Sequence, residues 1–232
     1  MIKTPKWLAD LGLRINRLYY KQLFESIYRG KNPPAWFDHR IDLHYHWPHN
    51  LFWLERGILP RKHMMDGCTV LDLFCGDGFF SRYFYATIAG HIDAVDKDPK
   101  AISHARRWHS HSKVNYVVGD AVKEGFPRPH YDVIVWFEGV EHLEAAECKV
   151  VLDRIEKTMG KGGVLVGSTP LVSPHNLKPA NWEHQNEFAS VEALREFLAR
   201  DFVDVSIFTT VYPELDGGKR RTAHFTVMGA RQ

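Results

Sequence analysis

With 232 residues, 44% hydrophobic and 25% charged, the chain is long enough for one sizeable core and has the make-up of a globular protein. A formal charge of +2 is too weak to argue for a nucleic-acid groove. The three cysteines, Cys68, Cys75 and Cys148, are too few and too scattered for a disulfide framework or a zinc pattern, which points to a reducing cytoplasmic setting.

From Trp7 to Tyr28 apolar residues recur at helical spacing, and Gly30 with Pro33-Pro34 supplies a stop, so one or two amphipathic helices are expected there. Residues 1–31 hold seven basic against two acidic side chains. That basic face suits either a membrane surface or polyanion, or simply a solvated face on a docked helix. No apolar run is long enough to span a bilayer, and no secretory leader pattern is expected. Residues 35–56 crowd four histidines among Trp36, Phe37, Tyr45, Trp47, Phe52 and Trp53, either to close over a ligand or as a small aromatic core.

After Gly67 short apolar runs, "CTVLDLF", "HIDAVD", "VNYVVGD", "YDVIVWF" and "GGVLVGS", alternate with helical stretches starting near Phe79, Pro99, Glu141 and Ser190. Continuous apolar strands alternating with helices predict a mostly parallel sheet covered on both faces, the doubly wound α/β class. "FVDVSIFTTVY" and "RTAHFTVMGA" flank a turn-rich stretch and predict a closing antiparallel pair. The expected division is an N-terminal helical and aromatic extension, 1–64, acting as a lid or substrate cap, and a cofactor-binding domain, 65–232.

"VLDLFCGDGFFS" reads as strand, Gly76-Asp77-Gly78, then helix, the place where ligands bind in such sheets. Asp72 and Asp77 would repel a pyrophosphate and suit a cofactor bearing an ammonium or sulfonium charge, which argues against a nicotinamide-dependent oxidoreductase. Asp96 ends the next strand, where a carboxylate takes both ribose hydroxyls, and Asp120 ends the third, within reach of an exocyclic amine.

Taken together, residues 65–232 resemble the class I S-adenosylmethionine-dependent methyltransferases. "VLDLFCGDG" resembles their glycine-rich first motif, with Phe74 in place of a common glycine; "AVDKD", "GDA" and "YDVIVWFEGVEHL" resemble the second, third and fourth. The resemblance implies a seven-stranded sheet and S-adenosylmethionine held by Asp72, Phe74, Gly76, Asp77 and Gly78 at its methionine portion. It also implies Asp96 with Lys97 at the ribose, Asp120 and Ala121 at adenine, and Phe137 and Glu138 beside the methyl group.

Glu138, Glu141 and His142 would share one face if their segment is helical. The Glu-x-x-Glu-His box resembles that of ubiquinone-pathway O-methyltransferases and small-RNA 3′-end 2′-O-methyltransferases, where it holds a divalent metal. His184 stands where the RNA group has a further ligand. The resemblance therefore implies Mg²⁺ or Mn²⁺ on Glu138, Glu141, His142 and His184, or, without metal, His142 or His184 as base with Glu141 in the catalytic set. The fourth motif lacks the Asn/Asp-Pro-Pro-aromatic run used on exocyclic amines, so a hydroxyl oxygen of a small molecule is the expected acceptor. RNA 2′-hydroxyl is the alternative, supported by Lys219-Arg220-Arg221. A non-catalytic cofactor-binding module would not need the acidic box.

Overall fold

The structure is a computed structural model that describes residues 5–172, 184–213 and 218–230. The N-terminal periodicity is realised as one 23-residue helix, α1 (Lys6–Tyr28), followed by the short helices α2 (His39–Tyr45) and α3 (Phe52–Ile58). Asp38 starts α2 by accepting a hydrogen bond from the Arg40 amide. The ring of Phe24 lies 4.6, 5.1 and 4.5 Å from those of Tyr28, Tyr45 and His46, so this part of the aromatic-rich stretch is a satellite core that ties α1 to α2.

Seven strands follow: β1 (Thr69–Leu73), β2 (His91–Asp96), β3 (Val114–Val118), β4 (Tyr131–Phe137), β5 (Met159–Pro170), β6 (Phe202–Pro213) and β7 (Lys219–Ala230). They form one sheet in the order β3-β2-β1-β4-β5-β7-β6. Neighbours from β3 to β5 pair parallel, and β7 runs antiparallel to both β5 and β6. This is the expected doubly wound sheet with its antiparallel finish.

Alternation along each strand builds two cores. Ile134 and Trp136 of β4 join one side with α5 (Ala145–Thr158) and α6 (Val191–Leu198), whereas Val133, Val135 and Phe137 join the other with Phe80, Tyr85 and α4 (Pro99–Trp108). Burial on both faces explains why β4 reads as an unbroken apolar run. Trp136, Phe225 and Phe202 are each at most 1% exposed, and burying such side chains contributes about 1.5–3 kcal/mol apiece.

Two helices differ from expectation. The helical turn at Phe79 is short and passes into a π-helix over Ser81–Tyr85, because the chain must then cross against Gly67 to enter β2; a Cβ on Gly90 would lie 2.6 Å from the Gly67 carbonyl. Helix α5 begins at Ala145 rather than near Glu141, since Glu144 and Glu147 form a capping box there.

His109, at the C-terminal end of α4, is fully buried, and neither ring nitrogen has a hydrogen-bond partner among the described residues. Burial lowers its pKa from 6.5 to about 4. The unfolded chain takes up this proton near pH 6.5, so stability falls as the pH drops from 6.5 toward 4, by up to about 3 kcal/mol. Urea unfolding of the protein and of His109→Leu across that window should show a steeper loss in the unmodified chain; parallel curves would assign the acid sensitivity elsewhere.

Candidate active site

At the carboxyl edge of the sheet, β1, β2, β3 and β4 end around a cavity of about 170 Å³. Phe74 follows β1, Val95, Asp96 and Lys97 come from the end of β2, Gly119 to Lys123 from the turn after β3, and His142 and Leu143 from the segment after β4; Glu147 and Gln185 complete the lining. Of the residues expected at a cofactor, Phe74, Asp96, Lys97, Asp120 and Ala121 line this space, as does the expected catalytic His142. Val95, Val122, Lys123, Glu147 and Gln185 were not expected. Val95 and Val122 wall the cavity with apolar surface, which carries no signal distinct from core packing in a sequence.

The carboxylate of Asp96 accepts from the amides of Gly76 and Asp98, both at 2.9 Å, which bends the glycine turn over the end of β2. Burial nevertheless pushes its carboxyl above the ordinary range, leaving a desolvated acceptor facing the cavity. Burial acts the same way on Asp120, but the amides of Val122 and Lys123 and the Lys123 ammonium outweigh it and hold that carboxyl low.

The two other acids of the loop point away from the cavity. Asp72 is 0% exposed, with one oxygen 3.0 Å from Arg56 Nη2 and the other receiving the Ser81 hydroxyl at 2.5 Å. Arg56 also donates to the Phe74 carbonyl at 2.8 Å. Asp77 is equally buried; it accepts from the His39 amide at 2.9 Å and lies 2.9 Å from His39 Nδ1, and these contacts hold its carboxyl low against the cost of burial. Both acids therefore clamp the N-terminal extension to the turn from behind. Gly78 has φ +75°, and a Cβ there would come within 2.5 Å of the Tyr116 ring, so its glycine is required by the fold's own packing. Gly76, with φ +55°, forms the turn itself.

Past β4 the acidic box separates. Glu138 has φ +51° and precedes a 3₁₀ turn, Val140–His142, so the three residues do not share a helical face. Its carboxylate takes the Ser168 hydroxyl at 2.9 Å and an ion pair with Arg220, whose guanidinium stacks 4.2 Å over Phe52. Phe137 is buried beneath. Glu141 is 1% exposed and accepts from Thr169 at 3.2 Å; burial first, and then the charge of Glu138, push its carboxyl well above the usual range. Glu141, His142 and His184 bring ligand atoms within 4.8 Å of one another, and Glu138 stands outside that group. His184 Nδ1 lies 2.5 Å from Glu187, a partner the sequence did not single out. Asp38, His104 and His109 also converge, but Arg40 already holds both oxygens of Asp38 and supplies the positive charge there. Residues 173–183, between β5 and His184, lie outside the described residues.

Strand order and cavity position define the class of doubly wound α/β folds whose crevice opens where the order reverses, here between β1 and β4. Residues 70–163 match the family model described as Methyltransferase domain. The Ribosomal protein L11 methyltransferase of Dechloromonas aromatica is 34% identical over 85 residues, 37% of this chain and 26% of that protein. The chain thus spans about a quarter of the length of the curated relatives it matches. Among solved structures, phosphoethanolamine N-methyltransferase 2 of Haemonchus contortus, in complex with phosphomonomethylethanolamine and S-adenosylhomocysteine, superposes with a TM-score of 0.62 at 16% identity, covering 80% of this chain and 53% of that one. A DhpI–SAH complex gives 0.61 at 15% identity over 95% and 98%. Residues 70–163 are thus similar to a methyltransferase domain, and the sheet has the fold of these solved structures.

The buried Arg56–Asp72 pair yields a direct test. Arg56→Met should destabilise the protein by about 3–5 kcal/mol in urea unfolding, because it strands a buried carboxylate. Arg56→Met combined with Asp72→Leu should recover much of that loss; no recovery would show that the two side chains do not act as a pair.

Proposed function

We propose that the protein is an S-adenosylmethionine-dependent methyltransferase acting on a hydroxyl oxygen of a small molecule. The observation that carries this reading is the cavity that joins Asp96 and Asp120, at the tips of β2 and β3, to His142 after β4. In this reading Asp96 accepts the ribose hydroxyls, Asp120 and Ala121 meet the adenine, and Phe74 walls the nucleoside. Residues 1–64 act as the cap, with α3 reaching from Asp72 under the glycine turn to β6, where Glu55 accepts from the Thr210 and Tyr212 hydroxyls.

The acceptor oxygen attacks the methyl carbon as the carbon–sulfur bond breaks, leaving S-adenosylhomocysteine, and its proton passes to an imidazole. His184 is suited to receive it, because Glu187 at Nδ1 fixes the ring and leaves Nε2 as the acceptor, with the His142 ring 5.1 Å away. Glu141, His142 and His184 also fit Mg²⁺ or Mn²⁺, which when bound supplies Lewis acidity toward the hydroxyl. The high pKa of the buried Glu141 carboxyl marks a place where added positive charge is favourable.

A small acceptor is favoured over RNA because Arg220, the centre of the basic triplet, is committed to Glu138 and Phe52. The acceptor of the L11 methyltransferases does not carry over, since the match covers only 26% of that protein.

Calorimetry and thermal shift with S-adenosylhomocysteine should show saturable binding and stabilisation, about 2.7 kcal/mol at a hundredfold excess over Kd. Asp96→Ala should weaken that binding at least about tenfold; stabilisation by NAD alone would overturn the reading. Where a metal acts, EDTA abolishes turnover, Mg²⁺ or Mn²⁺ restores it, and Glu141→Gln reproduces the chelated state. Turnover indifferent to EDTA but lost in His184→Gln assigns the step to the imidazole alone.

A further inference from the structure

The first half of α1 projects from the body of the protein. Trp7, Ile15, Leu18 and Tyr19 are 58–66% exposed, Leu8 and Leu11 both 45%, and Phe24 is the helix's buried residue. At 3.6 residues per turn these six exposed side chains fall on one stripe roughly 120° wide, with Leu13, 68% exposed, on the opposite side. Lys6, Arg14, Arg17 and Lys21 line its flank with Asp10 as the one acid between them. Four large aliphatic and two aromatic side chains in water are costly unless something covers them.

We propose that α1 seats the protein on an anionic lipid bilayer, its apolar stripe in the acyl boundary and its basic flank among the headgroups. No described helix is long and apolar enough to cross a membrane, so the helix lies in the surface plane. Trp7 and Tyr19 suit that depth, where an apolar ring and a polar edge meet lipid and water together. The long stems of Arg14, Arg17 and Lys21 reach the phosphates from the edge of the stripe.

Charge separates this occupant from others. Leu8, Leu11, Ile15 and Leu18 have the spacing of a coiled-coil seam, but for only two heptads. In a parallel pair of chains Arg14 and Lys21 would face Tyr19 and Ser26, and in an antiparallel pair they would face one another; neither arrangement provides an acid. A nucleic acid would engage the basic flank and leave the apolar stripe in water. An anionic bilayer uses both.

Docking there also orients the cofactor loop. Tyr20 stacks on His44 of α2 at 4.3 Å, the Asp38 amide donates to the Tyr28 hydroxyl at 2.5 Å, and the adjoining His39 binds Asp77. The helix that meets the bilayer is thus fixed to the glycine turn.

The test is co-sedimentation of the full chain with vesicles of phosphatidylcholine, alone or mixed with phosphatidylglycerol. The protein should bind the mixed vesicles and lose about tenfold or more in affinity on pure phosphatidylcholine. Leu11→Glu with Ile15→Glu, and separately Arg14→Glu with Arg17→Glu, should each lower binding to the mixed vesicles at least about tenfold. Both variants should keep the thermal midpoint and S-adenosylhomocysteine response of the unmodified protein, since the substituted side chains are exposed. Absence of vesicle binding would overturn the proposal, as would loss in the arginine variant alone. So would a dimer in ultracentrifugation that Leu11→Glu dissolves while vesicle binding is unaffected.

Discussion

Two carboxylates with no access to water, Asp72 and Asp77, sit beneath the turn on which the cavity is built. A carboxylate in that position needs a cation or several donors, because desolvation otherwise forces it to take up a proton. Each acid takes a partner from upstream of the sheet, Arg56 of α3 for Asp72 and His39 at the start of α2 for Asp77, with the Ser81 hydroxyl and the Phe79 amide as further donors. The extension is consequently part of the glycine turn's foundation. Removing it would take Arg56 from Asp72, His39 from Asp77 and the guanidinium from the Phe74 carbonyl.

A second balance operates on the opposite wall. The charge of Glu138 disfavours that of Glu141; Arg220 pairs with Glu138, and Glu141 is buried beside Thr169. Arg220 is held in turn by the face of Phe52, at the start of α3. The same short helix therefore supplies the counter-charge under the first strand and braces the counter-charge over the fourth. That shared support links the end of β1 to the end of β4 through α3.

Much of the fold was legible because it depends on local period and on apolar content. Unbroken apolar runs marked the doubly buried strands, and two strand-like runs on either side of a turn-rich stretch marked the antiparallel pair. Asp96 and Asp120 were legible at the cavity because the tip of a parallel strand in this topology has only one place to point. Asp72 and Asp77 look like ligand groups in the sequence because it shows acids in a loop but not the donors that reach them from 16 and 38 residues upstream. Likewise, spacing suggests one face for Glu138, Glu141 and His142. A positive φ at Glu138, set by how β4 ends against β5, turns the first of them toward Arg220. Long-range charge pairing and backbone handedness at a strand end are tertiary properties, and neither leaves a periodic trace.

Exposure along α1 follows from the same division of labour. The half of the helix that carries Tyr20, Phe24 and Tyr28 is bound into the aromatic cluster and, through Asp38 and His39, into the turn. The half that carries Trp7, Leu11 and Ile15 has no such duty, and selection for solubility alone would have made it polar. Its amphipathic pattern is retained on a segment that contributes little to the core, so the pattern answers to a surface outside the chain. Rigid attachment to the glycine turn then gives that surface a fixed relation to the mouth of the cavity, which a flexible basic tail would not provide.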